Sequence, residues 1–300
     1  MREEENLVLQ VRGLRKHFRD FRIEDISFDI PVGYIMGFIG RNGAGKTTIM
    51  KLIQNVIVKD GGEVKVCGYD NRRQEVKAKN EIGFIVDGSP FMKRYSLLEN
   101  GELFGKYYKN FDINCFQMYL SRFKLDPNKN ILSLSKGMES RFQLAFALAH
   151  SPRLLIMDEP TDGLDPIFRR EFLNLLQELI VEERMGVLFS THITSDLDKV
   201  ADYITLVDDG KLILSQDKET LLERFHILKG DKHLLERIPK DYFVAVRRHS
   251  HGFEAMTEKY EQIRQFVNIT DNLMIQRATL DDIMYYYDRR RRSNGQIADI

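Results

Sequence analysis

Gly40-Arg41-Asn42-Gly43-Ala44-Gly45-Lys46-Thr47 is the stretch whose reading decides the fold. It fits G-x-x-x-x-G-K-[ST], with an apolar run before it (Tyr34 to Ile39) and a helical pattern after it (Ile49 to Val58). That strand–loop–helix context separates a phosphate-binding loop from a chance match. Gly40, Gly43 and Gly45 reach backbone angles closed to other residues, so successive N–H groups turn inward as an anion nest at a helix N-terminus. Arg41, Asn42, Ala44 and Thr48 fall within the same cradle. Lys46 brings a mobile charge for the β- and γ-phosphates of a nucleotide, and the Thr47 hydroxyl can ligate Mg²⁺.

Downstream, Leu154-Leu155-Ile156-Met157-Asp158-Glu159-Pro160 reads as an apolar strand that delivers two adjacent carboxylates at its C-terminal end. In open α/β sheets ligands lie at that end. Two acids side by side are costly without a cation, and one that can ligate Mg²⁺ beside another that can polarise water is what phosphoanhydride hydrolysis calls for. Thr161 to Pro166 is a polar turn and Arg169 to Glu183 a helix. The strand Val187 to Ser190 then ends at Thr191-His192. On its own a histidine past a strand end is as often a surface residue as a ligand. Beside the loop and the acid pair, His192 becomes a γ-phosphate contact.

Upstream, residues 7 to 30 read as strands, with Phe18 between them as a candidate to stack on the nucleotide base. Such stacking is worth roughly 1–3 kcal/mol. Asp60-Gly61-Gly62 is a turn before the strand Glu63 to Gly68, and Ile82 to Val86 is a short buried strand closed by Asp87. From Ser96 to about Ala149 the apolar spacing becomes helical, broken at Asp126-Pro127-Asn128, with Ser135 as N-cap of a buried helix. Ala201 to Ser215 reads as a strand, an Asp-Gly turn and a second strand. The expected fold is therefore α/β: a phosphate-loop core over 1–217 with an antiparallel β subdomain and an inserted α-helical subdomain at about 88–150, followed by a small C-terminal α+β appendage over 218–300. Within the appendage, Thr279 to Asp282 predicts a capping box opening a helix through Tyr287. Arg289 to Arg292 is expected to be a solvated, disordered basic tail.

The 45 basic and 45 acidic side chains cancel. The chain therefore has no overall field to attract nucleic acid or an anionic membrane. Cys67 and Cys115 form no metal-spaced pair and suit a reduced, cytoplasmic protein. The polar start, Met1 to Asn6, does not match a secretory signal, and no window approaches a membrane-spanning length of apolar residues.

Taken together, residues 7 to 216 resemble the nucleotide-binding subunit of an ATP-binding cassette (ABC) transporter. Gly40 to Thr47 match its Walker A loop, Leu154 to Asp158 Walker B, Glu159 the catalytic glutamate, Thr161 to Asp165 the D-loop and His192 the switch histidine. Leu134-Ser135-Lys136-Gly137-Met138 stands where the signature Leu-Ser-Gly-Gly-Gln is expected, with Lys136 and Met138 as departures. Asp87 stands where the family's Q-loop glutamine senses the metal. The resemblance implies P-loop ATPase chemistry with Mg²⁺, Lys46, Glu159 and His192 acting in catalysis, and Thr47, Asp158 and Asp87 serving the metal. It implies a head-to-tail dimer, identical or not, in which Ser135 and Gly137 cap the ATP of the facing subunit. It also implies a separate integral membrane permease, driven from the cytoplasmic face of the cell membrane. The departures and the C-terminal extension resemble bacterial export ATPases for antibiotics and lantibiotics. A soluble ATPase working on ribosomes or nucleic acid is the alternative, and the arginine run is its best support. With a single cassette and about ninety residues between Lys46 and Ser135, it is disfavoured. A GTPase or kinase would leave the signature segment unexplained, and no Asn-Lys-x-Asp guanine motif is present.

Overall fold

The computed structural model describes residues 6–183, 185–267 and 272–292. Residues 1–5 of the polar start, and whatever of the basic tail follows Arg292, lie outside the described residues. The chain divides into two compact units, Met1–Ser215 and Gln216–Ile300.

The first unit opens with the antiparallel strands β1 (Leu7–His17) and β2 (Arg22–Pro31), then β3 (Ile35–Ile39), helix α1 (Lys46–Ile53), β4 (Gly61–Val66), β5 (Tyr69–Asp70), α2 (Glu75–Asn80) and β6 (Ile82–Ile85). Three helices follow, α3 (Leu97–Gly105), α4 (Ile113–Arg122) and α5 (Lys136–Leu148). The chain returns to the sheet through β7 (Leu154–Asp158), α6 (Pro166–Glu183), β8 (Gly186–Ser190), α7 (Thr194–Val200), β9 (Tyr203–Asp208) and β10 (Lys211–Asp217). The sheet runs β5-β4-β1-β2-β10-β9-β3-β8-β7-β6. Its parallel half, from β9 to β6, carries the chemistry. Strands β3, β7 and β8 are buried along their whole length, which explains their continuous apolar sequences.

Two local expectations need correcting. The helix after the phosphate loop ends at Ile53 rather than running to Val58, because Asn55 adopts φ +56° and turns the chain out of the helix. Val56 and Val58 are consequently exposed. The Asp60-Gly61-Gly62 turn is also the start of β4, where Gly62 (φ +83°) packs on the Gly13 carbonyl, which a Cβ would meet at 2.3 Å.

The helical block is centred on aromatic rings. Phe91 sits 4.8 Å from Phe142, 4.9 Å from Phe146 and 5.3 Å from Phe104, edge to face in each case. Phe111 and Phe116 extend the cluster. Each such pair contributes roughly 0.5–1.5 kcal/mol beyond simple burial. Ser96 and Glu99 form a reciprocal capping box at the start of α3. The Gln143 side chain of α5 straps the block to the segment after β6: its amide nitrogen donates to the carbonyls of Val86 (3.1 Å) and Gly88 (3.3 Å), and its oxygen accepts from the Val86 N–H (2.9 Å).

The second unit comprises α8 (Lys218–Arg224), β11 (His226–Gly230), α9 (Lys232–Arg237), β12 (Ala245–Arg248), β13 (Phe253–Thr257), α10 (Tyr260–Ile263), β14 (Leu273–Arg277) and α11 (Leu280–Arg292). Its strands form an antiparallel sheet in the order β12-β13-β11-β14 over a core that includes Leu228, Phe243, Phe253 and Ile263. Thr279 and Asp282 make the reciprocal bonds of a capping box, each side chain accepting from the other's backbone N–H. The arginine run is not disordered as expected, because α11 continues through it to Arg292. Arg289 lies 5.2 Å from the ring of Tyr285 one turn earlier, a contact that favours continuation of the helix.

Candidate functional site

Register fixes the site. Phe38 of β3 lies opposite Ser190 of β8, and Ser190 opposite Asp158 of β7, so the three strands end level at one edge. The chain leaving β3 enters the loop at Gly40, where φ is +153° and a Cβ would stand 2.3 Å from the Val207 carbonyl. Only glycine lets the loop pass β9 so closely. Gly43 and Gly45 take φ +82° and +108°. Gly45 packs under Ile23 and Phe21, and the Ala44 carbonyl accepts from the Gly210 N–H at 2.9 Å. The β2 edge and the β9–β10 turn therefore hold the loop from behind.

Lys46 is 6% exposed, and its ammonium donates to the carbonyls of Gly40 (2.6 Å) and Arg41 (3.1 Å). Burial lowers its pKa from the ordinary lysine value, against the pull of Glu159 and Asp158. The Thr47 hydroxyl donates to one oxygen of Asp158 (2.5 Å), and the Ser190 hydroxyl donates to the other (2.5 Å). A buried carboxylate that shares its free edge with a hydroxyl offers the hard oxygen donors Mg²⁺ prefers. The residues present therefore fit that ion and the phosphates beside it.

Glu159 begins the turn after β7 with φ +50°, a conformation uncommon for a non-glycine residue. That turn points its carboxylate back along the strand edge. It accepts from the ring Nδ1 of His192 (2.7 Å) and from the His192 backbone N–H (3.2 Å). Both bonds fall on one carboxylate oxygen, which leaves the other to accept from and polarise a water, as attack on a terminal phosphate requires.

Lys46, Thr47, Asp158, Glu159 and His192 thus gather at one strand edge. Phe18 lies in the β1–β2 turn, 42% exposed, its ring 6.4 Å from Phe21 and 5.8 Å from the Lys16 ammonium. Thr48 and Ala44 sit on the loop and first turn of α1, with Arg41 and Asn42 exposed on its outer side. The other three residues singled out in the sequence form a second group, around Lys136. The Ser135 hydroxyl caps α5 by accepting from the Met138 N–H (3.3 Å). Gly137 packs against the loop after Glu159, where a Cβ would meet the Gly163 carbonyl at 2.9 Å. Asp87 pairs with the Lys136 ammonium at 3.0 Å. Lys136 also binds Asp162 at 2.7 Å, and the two carboxylates push its pKa up to about 12.

Sequence reasoning missed Ser190, Gly210, Phe21 and Gln143. Ser190 was visible as the end of its strand, but its pairing with Asp158 depends on β7 and β8 being neighbours. Nothing in a single sequence states that.

A model of the ABC transporter family matches residues 23–162. The lantibiotic transport ATP-binding protein SrtF of Streptococcus pyogenes is 31% identical over 234 residues, 73% of this chain and 96% of that protein. The bacitracin transport ATP-binding protein BcrA of Bacillus licheniformis is 32% identical over 195 residues, covering 64% and 63% of the two chains. Among solved structures, an ATP-binding subunit of an ABC transporter superposes with TM-score 0.67 at 24% identity, over 72% of this chain and 92% of that one. A dimeric ATP-binding cassette bound to ADP and phosphate superposes with TM-score 0.61 at 22% identity, over 70% and 98%. The chain belongs to the ABC transporter family. It is an ATP-binding subunit of that family, an ATPase. The reading as an ATPase of ribosomes or nucleic acid is not favoured.

Proposed function

We propose that two cassettes close head to tail on ATP and that hydrolysis drives a separate membrane-spanning permease exporting a drug, peptide or antibiotic-like compound. The observation that carries this reading is the site's one-sidedness. Loop, metal pair, acid and histidine share a single strand edge, while the exposed N-cap Ser135 of α5, at the positive end of its helix, stands outside that group. A second copy turned by half a circle would bring that helix end onto the γ-phosphate. The similarity to SrtF, a lantibiotic transport protein, and BcrA, a bacitracin transport protein, supports a peptide antibiotic as the cargo.

In this reading the loop N–H groups and Lys46 bind the phosphates, and Lys46 exchanges its two carbonyl contacts for phosphate oxygens. Thr47 and Asp158 would hold Mg²⁺, which would supply charge neutralisation beside the transferring phosphate. Ser190 keeps Asp158 in the orientation that turns its other oxygen toward Thr47, where the metal would lie. Glu159 takes hydrogen bonds from the attacking water and orients it, and His192 holds Glu159 in place while its far ring nitrogen faces the terminal phosphate. Phe18 stacks on the base from the β1–β2 turn.

Among the described residues no helix is long and apolar enough to cross a membrane. The chain itself offers a groove of about 640 Å³ lined by Gln54, Phe84, Val86, Asp87, Pro90 and Tyr108, among others, and we assign it to a cytoplasmic helix of the permease. That places the chain on the cytoplasmic face of the membrane. Light scattering on Glu159→Gln with saturating MgATP is expected to give twice the single-chain mass. Single-chain mass under those conditions refutes the dimer, and a native complex without an integral membrane protein refutes the permease.

A further inference from the structure

Lys136 occupies an unfavourable place for a cation. It is the first residue of α5, where the helix dipole is positive and anions are welcome. The local chemistry shows what holds it there. Its ammonium bridges Asp162 at 2.7 Å and Asp87 at 3.0 Å, and its aliphatic stem lies against Gly163, whose Cβ position falls 3.4 Å from three of its carbons. The three side chains are 42–66% exposed, so screening keeps the bridge weak as a source of stability.

Each end of the bridge leads to a different functional part. Asp87 lines the groove and follows β6. Asp162 sits three residues after Glu159, and its backbone N–H donates to the Glu159 carbonyl at 3.1 Å. The turn that sets Glu159 at φ +50° is therefore closed by the same residue whose carboxylate Lys136 holds. A second bridge runs beside it, with Arg141 of α5 on Asp165 at 2.8 Å, its guanidinium stacked over Phe168 at 3.6 Å. Arg141 fixes the far end of the loop and has no link to the groove.

We propose that Lys136 is a positioning residue that ties the groove wall to the turn bearing Glu159, so that occupation of the groove at Asp87 changes where the Glu159 carboxylate stands. This rests on the assignment of Glu159 made above. The bridge consists of one cation shared by two anions. Any partner that takes over Asp87 leaves Lys136 to Asp162 alone, and any that takes over Lys136 frees both acids. Because the loop stays attached to α5 through Arg141, the change is confined to the Glu159 end.

The test compares Lys136→Met, Lys136→Arg, Asp87→Asn and the double variant Lys136→Met/Asp87→Asn in the full chain, with ATPase kcat and KM measured for each. The expected result is a fall in kcat of about tenfold for Lys136→Met with KM for ATP within twofold, because the affected group orients water rather than binding ground-state nucleotide. Lys136→Arg is expected to restore most of the rate. The double variant is expected to be no slower than Lys136→Met alone. Unchanged melting temperature for all four shows that folding is not the cause. A raised KM with unchanged kcat overturns the proposal and makes Lys136 a nucleotide contact. Additive losses in the double variant also overturn it. Failure of the Glu159 assignment reads out separately, as wild-type rates in Glu159→Gln.

Discussion

Gly210 supports the phosphate loop from a distance, and replacing it with alanine should reveal that support. At φ +72° its added Cβ would stand 1.8 Å from the Arg22 carbonyl oxygen and 2.9 Å from the carbonyl carbon. Backbone must yield there by an ångström or more. The displaced residue carries two hydrogen bonds, its N–H to the Ala44 carbonyl and its carbonyl from the Glu24 N–H, each 2.9 Å. Left-handed backbone costs a non-glycine residue roughly 1–2 kcal/mol, and each hydrogen bond lost costs about 1 kcal/mol net. Gly33 supplies the control. It has φ +82° and nothing within 4 Å of its Cβ position, so Gly33→Ala carries the conformational cost alone. The difference between the variants is about 2 kcal/mol. For a unit of this size that is a further drop in melting temperature of roughly 4–8 °C for Gly210→Ala, read by circular dichroism. Because Ala44 loses its brace, ATP affinity should weaken by at least about threefold in Gly210→Ala and hold in Gly33→Ala. Equal melting temperatures, or equal affinities, would refute the view that the β9–β10 turn braces the loop.

Lys46→Ala should abolish tight ATP binding, whereas Glu159→Gln should bind ATP with wild-type affinity and slow turnover by about 10²–10⁴-fold; equal loss of affinity in both contradicts their roles. Ser190→Ala leaves one Asp158 oxygen without its donor while Thr47 keeps the other, so turnover should fall about tenfold and respond to added Mg²⁺, checked by titrating the metal. His150 is buried against Tyr108, with its Nε2–H on the Ile82 carbonyl at 3.0 Å, and burial lowers its pKa from 6.5. The folded state therefore binds that proton less readily than the unfolded chain, so its contribution is complete above pH 6.5 and is lost as pH falls below that value. Melting curves across this range should slope less in His150→Gln than in the wild type.

The parts of this molecule that were legible in its sequence are those in which local backbone chemistry determines the residue type. The phosphate loop needs its glycines in order, the capping box at Thr279 needs its partner three residues on, and the fully buried strands need continuous apolar side chains. Long-range placement left no such mark. Strands β11 and β13 went unread: His226 to Gly230 is half polar, and the buried face of Phe253 to Thr257 is broken by Glu254, whose charge is met by Lys229 and Tyr286 from distant positions. The arginine run was misjudged because charge density alone suggests a solvated tail, while the capping box and the Tyr285 ring favour a helix. At the site, residues joined across strands, such as Ser190 to Asp158, were invisible for the same reason.

The ring cluster between α3, α4 and α5 has a mechanical consequence. Interlocked aromatic side chains cannot slide past one another without opening gaps, so the block resists bending and behaves as one stiff body. Gln143, gripping three backbone groups on either side of Asp87, joins that body to the segment after β6. A push applied in the groove is therefore passed to the whole block rather than absorbed within it.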